Sequence, residues 1–397
     1  YVYRGNILDR NNTSLTENVG EAGEMIRVLN YPALSSVIGY SNPNYGQAGI
    51  EFKLDGTLRG ITYNSALKIA LTRLLYGQDP AGFDLRLSLD LPLQQASDRL
   101  LADYTGAIVM MNAASGEILA MSTSPTFDAN QLDERWSTWM QDESAPLLNR
   151  ATQALYPPGT TTGGVLLARF LSQYTPSATI PPYDWNTDPD SADFCALDPG
   201  EDNTWGELVS SGCIKALATL NRSSTLSNTL ELYTESGLFK PQELPLEVSQ
   251  AVQVQDIDSY TSLYSGEAGI LVSPVQVAVA ASTLSNNGRV VTPQIAMAYK
   301  NPENDWSLID IGAEPPDIPD FEAGMAVDLL THGNFPGWEL SSFATHQEAK
   351  ISWYVAGTPA DWLGTPVTLV IALEDGSPND ARRIGRELFL EATASLE

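Results

Sequence analysis

The sequence contains little cysteine, histidine or basic charge, and it has no long apolar run. Its 397 residues include two cysteines, Cys195 and Cys213, and two histidines, which excludes a framework of several disulfides and a cysteine-rich zinc site. No run approaches the roughly 18 consecutive apolar residues that a transmembrane helix needs. The 21 basic residues are outnumbered by 49 acidic ones. This balance opposes binding to nucleic acid and to anionic lipid, because such binding depends on clusters of Lys and Arg.

The acidic excess and the cysteine pair each leave two interpretations open. A net charge of −28 is typical of a well-solvated surface, and an acidic patch that attracts a basic partner is the alternative. Cys195 and Cys213 form one disulfide if the chain is exported, which would stabilise the fold by about 3 kcal/mol. Two separate buried thiols are the alternative.

Composition and length predict a folded protein with two domains. Hydrophobic residues make up 43% and charged residues 18% of the chain, as in globular proteins. Residues 1–90 are rich in Gly, Asn and turn pairs, and they predict a small, irregular α+β domain with the β-prone runs RVLNYP, SSVIGY and GIEFKLDG. Residues 91–397 predict an α/β domain, in which an antiparallel sheet is flanked by helices.

Local patterns in the larger region predict its main elements. LRLSLDL predicts a strand, and the apolar runs GAIVMMN and GEILAMSTS predict a hairpin. After the turn at 157–159, TTTGGVLLARFLSQY predicts a helix with Thr at its cap. Residues 175–203 predict a long loop, and helices are predicted around 208–220 and 275–284. The chain closes with the strands ISWYVAG and VTLVIAL and the helix ARRIGRELFLEATASL.

Seven further segments follow one another in an order that is typical of one protein family. They are RGNILDRN, YGQAGIEFKLDGTLRG, SLDLPLQQASDRLL, GAIVMMNAASGEILAMSTSPTFDAN, NRATQALYPPG, GILVSPVQVAVAASTLSNNGRVVTP and SWYVAGTPAD. Together they resemble the class B penicillin-binding proteins of the transpeptidase family. The resemblance implies a penicillin-binding/β-lactamase-like transpeptidase domain with a smaller N-terminal pedestal domain.

The same resemblance implies where the protein acts and on what. It implies an extracytoplasmic protein of peptidoglycan and cell-wall synthesis, anchored to the cytoplasmic membrane by a helix upstream of Tyr1. The expected partners are peptidoglycan stem peptides or cell-wall synthesis proteins. Neither a cofactor nor a metal is expected.

The chemistry of this family depends on three short motifs, and the first is altered here at both working positions. In Ser-x-x-Lys, a serine at a helix N-terminus attacks a carbonyl, and a lysine one turn later activates it. After YPPG the sequence places Thr160 at the serine position and Gly163 at the lysine position. A Thr hydroxyl is a conceivable nucleophile, but the glycine supplies no base.

The second and third motifs are altered as well. Ser-x-Asn aligns with GCI at 212–214, so both polar groups are replaced. Lys-Thr-Gly aligns with SFA at 342–344, counted back from SWYVAG, so the cationic anchor is missing. The resemblance therefore predicts a degenerate site formed by Thr160, Gly163, Gly212, Ile214, Ser342 and Ala344.

Other candidate sites have weaker support. A literal Ser-x-x-Lys at Ser65 and Lys68 lies far upstream of YPPG, and such short patterns recur by chance. His332 and His346 lie in a loop-like region with no second ligand at metal-binding spacing. The acidic run at 188–193 lacks the further carboxylate and the glycine of a calcium loop.

These observations lead to three hypotheses about function. The first is a catalytically inactive scaffold or binding protein that has kept the family fold. The second is an active D,D-transpeptidase or carboxypeptidase that is acylated at Thr160 and uses an unrecognised base. The third is an extracellular sensor that binds muropeptides or β-lactams reversibly. The replacement of all three motifs favours the first.

Overall fold

A computed structural model describes most of the chain, namely residues 4–20, 25–64, 66–77, 81–174, 185–188, 191, 194–200, 204–221, 224–254, 257–301, 305–310, 312 and 315–396. Its strands are β1 (Ile7–Leu8), β2 (Thr16–Val19), β3 (Ile26–Leu29), β4 (Ser41–Asn42), β5 (Gly46–Gln47), β6 (Leu85–Leu87), β7 (Thr105–Asn112), β8 (Ile118–Ser124), β9 (Ala296–Lys300), β10 (Trp306–Leu308), β11 (Trp338–His346), β12 (Ala349–Gly357) and β13 (Val367–Glu374). Its helices are α1 (Ser35–Ile38), α2 (Gly49–Lys53), α3 (Asp55–Leu58), α4 (Ala66–Tyr76), α5 (Leu91–Leu101), α6 (Leu132–Trp139), α7 (Gly163–Gln173), α8 (Trp205–Ser210), α9 (Ile214–Leu220), α10 (Leu226–Glu235), α11 (Tyr260–Ser265), α12 (Pro274–Ser285), α13 (Ala323–Leu330) and α14 (Pro378–Ser395).

A five-stranded antiparallel sheet forms the centre of the larger region. Its strand order is β11-β12-β13-β7-β8. Along β13 the side chains alternate between two cores, since Leu369 and Ile371 pack with α5 and α14, whereas Val370 and Ala372 face the core that contains α7 and α12. Helices therefore cover both faces of the sheet, and strand residues are apolar at almost every position. This arrangement confirms the predicted fold class.

The predicted hairpin and closing strands are also confirmed. GAIVMMN lies in β7 and ILAMSTS forms β8, and the two strands pair antiparallel. ISWYVAG lies in β12 and VTLVIAL in β13, followed by α14. These are long, strongly patterned segments whose partners are close in sequence.

A second sheet joins the N-terminal region to the larger one. Its strand order is β1-β6-β9-β10, with β1 parallel to β6 and β6 antiparallel to β9. Strand β6 belongs to the predicted domain 1–90, and strand β9 belongs to the predicted domain 91–397. Strands from both predicted domains therefore share hydrogen bonds. The division into 1–90 and 91–397 stays a prediction.

Two of the runs predicted as β-prone are helical in the structure. SSVIGY contains α1, and GIEFKLDG spans α2 and the first half of α3. Tertiary burial overrides local propensity here, because the helix α2 places Glu51 among cations in the interior. The carboxylate of Glu51 is 1% exposed and forms ion pairs of 2.7 Å with both Arg4 and Arg27.

Candidate functional site

Thr160 lies in the turn that leads into helix α7. The turn is held against the central sheet, since Trp353 Nε1 of β12 donates a hydrogen bond of 3.0 Å to the carbonyl of Pro157. Gly159 has a φ of 56°, a left-handed conformation that glycine adopts most readily. The backbone N–H of Thr160 then donates to Ser342 Oγ of β11 at 2.8 Å. The structure thus brings the predicted first and third motif positions into contact.

The Thr160 hydroxyl has no proton acceptor among the residues that the structure describes. Thr160 is fully buried, and its Oγ1 makes no hydrogen bond to any residue that the structure describes. Nucleophilic attack by a hydroxyl needs a general base within about 3.2 Å. The described surroundings supply neither that base nor access from solvent.

Apolar side chains occupy the space next to Gly163, the first residue of α7. A Cβ atom on Gly163 would lie 2.9 Å from Val209 Cγ1 and 3.4 Å from Leu217 Cδ2. The first of these distances is shorter than carbon atoms tolerate, so even a methyl group would displace Val209. A side chain as long as lysine has no room here.

The helical stretch predicted around 208–220 is interrupted, because the chain breaks at Gly212 between α8 and α9. Gly212 has a φ of 68°, which ends a right-handed helix. A Cβ atom on Gly212 would lie 2.3 Å from the carbonyl oxygen of Ser341 and 2.9 Å from Thr160 Oγ1. The second motif position therefore also adjoins Thr160, but with backbone instead of a polar side chain. Ile214 begins α9 and is buried.

A short segment next to Gly212 closes the site. Cys195 and Cys213 form a disulfide, and the N–H of Ile214 donates to the carbonyl of Phe194 at 3.1 Å. The ring of Phe194 packs edge-on against Phe343 of β11, with centroids 5.7 Å apart. Residues 194–197 are all buried. Ser342 and Ala344 are buried as well, so the whole predicted site is enclosed.

Comparison with known proteins agrees with the fold and the order of segments. The family model for the penicillin binding protein transpeptidase domain matches residues 106–189. The peptidoglycan D,D-transpeptidase PbpA of Mycolicibacterium smegmatis is 24% identical over 396 residues, which covers 88% of this chain and 79% of the relative. The chain is therefore similar to class B penicillin-binding proteins over most of its length.

Two further similarities are to a second transpeptidase and to a solved structure. The peptidoglycan D,D-transpeptidase MrdA of Escherichia coli K12 is 33% identical over 126 residues, 29% of this chain and 20% of the relative. The imipenem acyl-enzyme complex of penicillin-binding protein A from M. tuberculosis superposes with a TM-score of 0.82 and 22% identity, over 99% of this chain and 98% of that one. The superposition shows the fold. The relatives named here are peptidoglycan D,D-transpeptidases of cell-wall synthesis.

Sequence reasoning missed a buried tyrosine pair, Tyr233 and Tyr264, beside the candidate site. Thr162 Oγ1 and Tyr233 OH share a hydrogen bond of 2.8 Å, and Asn221 Nδ2 donates to Tyr264 OH. Burial raises the pKa of Tyr233 to about 12, although hydrogen bonds with Thr162 and Tyr264 lower it. At neutral pH only about one phenol in 10⁵ is ionised at such a pKa. Tyr233 is therefore not suited to act as a general base. No motif in the sequence predicted that it would lie beside the site.

The weaker candidates do not assemble into a second site. Ser65 and the side chain of Lys68 lie outside the described residues, as do parts of the acidic run at 188–193. His346 ends strand β11, so its predicted loop position is wrong. Among described residues no group of three His, Cys, Asp or Glu is arranged to hold a metal. No helix in the same part of the chain has both the length and the apolar character to cross a bilayer.

Removing the disulfide is expected to weaken the fold measurably. The bridge joins cysteines 18 positions apart, and a loop of this length is worth about 3 kcal/mol in the chain-entropy model. The double variant Cys195→Ser/Cys213→Ser should lose about that much free energy of unfolding, measured by urea denaturation. The single variants serve as controls, because each should lose at least as much. A double variant as stable as the oxidised wild type would contradict a structural role for the bridge.

Proposed function

We propose that this protein is a catalytically inactive class B penicillin-binding protein, which acts in peptidoglycan synthesis as a scaffold or binding protein. The observation that carries the proposal is the state of Thr160. Its hydroxyl is buried without a hydrogen-bond partner among the described residues, and Val209 and Leu217 fill the space beside Gly163.

The size of the expected catalytic loss supports this proposal. Removal of a general base alone typically costs about 10²–10⁴-fold in rate. Catalytic groups that act as one unit fail together, so a site without several of them keeps only what binding contributes. Here the base, the polar partner and the cationic anchor are all replaced, and the remaining hydroxyl has no access to substrate.

The surface next to the closed site supports a binding role. A cleft of about 420 Å³ lies beside the predicted site. Its lining includes the apolar side chains of Phe194, Leu197 and Phe343 and the polar side chains of Asp198, Asn379 and Arg382. Aromatic linings with a few polar groups are typical of binding clefts. We propose peptidoglycan stem peptides or cell-wall synthesis proteins as partners, and an extracytoplasmic location with an anchor upstream of Tyr1.

Fluorescent penicillin tests the proposal directly. The wild-type protein should show no covalent labelling under conditions in which an active class B penicillin-binding protein is labelled stoichiometrically. Thr160→Ala and Thr161→Ala are matched variants, since both hydroxyls are buried and lack partners in the described surroundings. Neither variant should differ from wild type in the labelling gel.

The alternative function makes the opposite prediction. An active transpeptidase acylated at Thr160 would label stoichiometrically, lose the label in Thr160→Ala and keep it in Thr161→Ala. That pattern would overturn the proposal and require a base that becomes available when the segment at 194–197 moves away.

A further inference from the structure

Residues 194–197, which we call the cover segment, lie in no helix and in none of the strands β1–β13. Two backbone hydrogen bonds of 3.1 Å join the cover segment to residues 211–214, one from the N–H of Leu197 and one to the carbonyl of Phe194. A third, of 2.8 Å, runs from its second residue to Asn186 of the same loop. Segments outside the regular elements open locally at a lower free energy than core strands.

The disulfide adds a covalent contact between the cover segment and the turn from α8 to α9. Cys195 belongs to the cover segment and Cys213 to the turn, and both residues are fully buried. While the bridge is intact, the segment stays next to the turn even when its hydrogen bonds break. Once the bridge is reduced, the contacts described for the segment are all noncovalent, and they include the edge-on packing of Phe194 against Phe343.

The cover segment lies directly beside the buried hydroxyl of the candidate site. A Cβ atom on Gly212 would lie 3.1 Å from Ala196 Cβ and 2.9 Å from Thr160 Oγ1, so both side chains approach the same point. Three residues of the segment, Phe194, Ala196 and Leu197, also line the cleft of about 420 Å³. Movement of the segment away from the turn would therefore extend this cleft towards Thr160.

We propose that the bridge between Cys195 and Cys213 is a redox latch, which holds the cover segment over Thr160 when oxidised and releases it when reduced. The reductant is a dithiol. One of its thiolates attacks a sulfur of the bridge and forms a mixed disulfide, and its second thiol then displaces the protein thiolate. Two electrons and two protons thus pass to the cysteines, and the dithiol becomes a disulfide. The latch controls access to the cleft, and in this respect it rests on the proposed function.

Hydrogen–deuterium exchange of the full chain, followed by mass spectrometry, tests the latch. Dithiothreitol should speed exchange at the amides of Leu197 and Ile214 at least about tenfold. The physical reason is that a bridge across 18 positions restricts the opened state by up to roughly 10²-fold in the chain-entropy model. Strand β13, which is buried in the central sheet, is the internal control. It should still be unexchanged when the cover segment has exchanged fully.

Two variants separate release of the segment from other effects of the reductant. Cys195→Ser/Cys213→Ser should exchange fast at the same two amides, equally with and without dithiothreitol. Phe343→Ala removes the ring contact of the cover segment, and it should speed exchange more in the reduced protein than in the oxidised one. The freed thiols of the reduced wild type should react with iodoacetamide in the absence of urea, because a released segment exposes them.

Three results would overturn the proposal. The first is a bridge that dithiothreitol reduces only in urea. The second is unchanged exchange at Leu197 and Ile214 after the bridge has been reduced. The third is exchange of β13 together with the cover segment, because the bridge would then stabilise the whole fold instead of holding one segment. None of these measurements uses penicillin, so failure here is distinguishable from failure of the proposed function. Labelling of the reduced protein by fluorescent penicillin at Thr160 would support the latch and overturn the proposed inactivity.

Discussion

Replacing Gly163 with lysine is expected to lower the free energy of unfolding by more than about 4 kcal/mol, and not to create a penicillin-reactive site. The new side chain would enter a space filled by Val209 and Leu217. Its ammonium group would be buried among apolar atoms, where an uncompensated charge costs several kcal/mol. Overpacking of the same space adds about 1–3 kcal/mol. Urea denaturation followed by tryptophan fluorescence measures the loss.

A lysine at the other end of the same helix is the matched control for this experiment. Gln173 is exposed and ends α7, where a cation interacts favourably with the helix dipole. Gln173→Lys should change the free energy of unfolding by no more than about 0.5 kcal/mol. If Gly163→Lys were as stable as Gln173→Lys and reacted with penicillin, the interior around Val209 would have to open easily, and the proposed inactivity would be wrong.

Replacing Glu339 with alanine is expected to lower the free energy of unfolding by about 3 kcal/mol. Glu339 is on β11, with its side chain 4% exposed. It accepts hydrogen bonds from Tyr354 OH at 2.8 Å, from Arg382 at 2.6 Å and from Arg386 Nε at 2.8 Å. The variant removes the carboxylate that accepts the hydrogen bond of the buried Tyr354 phenol, whereas the two arginines are more than a third exposed and regain water. The expected loss is therefore at the lower end of the range that is typical when one partner of a buried ion pair is removed.

The effect of Glu339→Ala should depend on pH with a definite sign. Burial raises the pKa of Glu339, but hydrogen bonds from Arg386 and Arg382 outweigh it, so the pKa in the folded protein lies below the usual value of 4.5. A carboxyl with a lowered pKa stabilises the fold fully above its unfolded pKa, and this contribution is lost as the pH falls through the folded pKa. The stability difference between wild type and Glu339→Ala should shrink below about pH 4.

The exposed pair of Arg99 and Glu391 provides the control for Glu339. The side chains of Arg99 and Glu391 are 59% and 44% exposed, and the distance from the Arg99 guanidinium nitrogen to Glu391 Oε2 is 3.0 Å. Glu391→Ala should lower the free energy of unfolding by less than about 1 kcal/mol at pH 7. Equal losses of unfolding free energy in Glu339→Ala and Glu391→Ala would show that the burial of Glu339 adds nothing to the stability of the fold.

The sequence predicted those parts of the fold that depend on local patterns. The β7–β8 hairpin and the strands β12 and β13 have long apolar runs, so their existence and type were predictable. Helix α1 and the break at Gly212 could not be predicted from local patterns. At Gly212 the backbone lies close to the carbonyl of Ser341, 129 positions away in sequence, and local patterns do not reveal such a contact.

For the candidate site, resemblance predicted which residues would come together but not their burial. Thr160 and Ser342 are 182 positions apart, and only the order of family segments suggested that they meet. The closure depends on the packing of Phe194 against Phe343 and on the bond between Cys195 and Cys213. Such contacts between distant loops leave no periodicity in the sequence from which to predict them. The assignment of the six degenerate positions to the family motifs remains a prediction.

The close packing around Gly212 has an evolutionary consequence. A serine regained at this position would need a Cβ atom 2.3 Å from the carbonyl oxygen of Ser341, in a left-handed backbone conformation. Both conditions penalise any residue other than glycine. Reversion by single mutations would therefore pass through unstable intermediates, each selected against before the next could arise. Under the proposed loss of catalysis, this packing would oppose the return of a serine at position 212 while leaving the surface free to diversify.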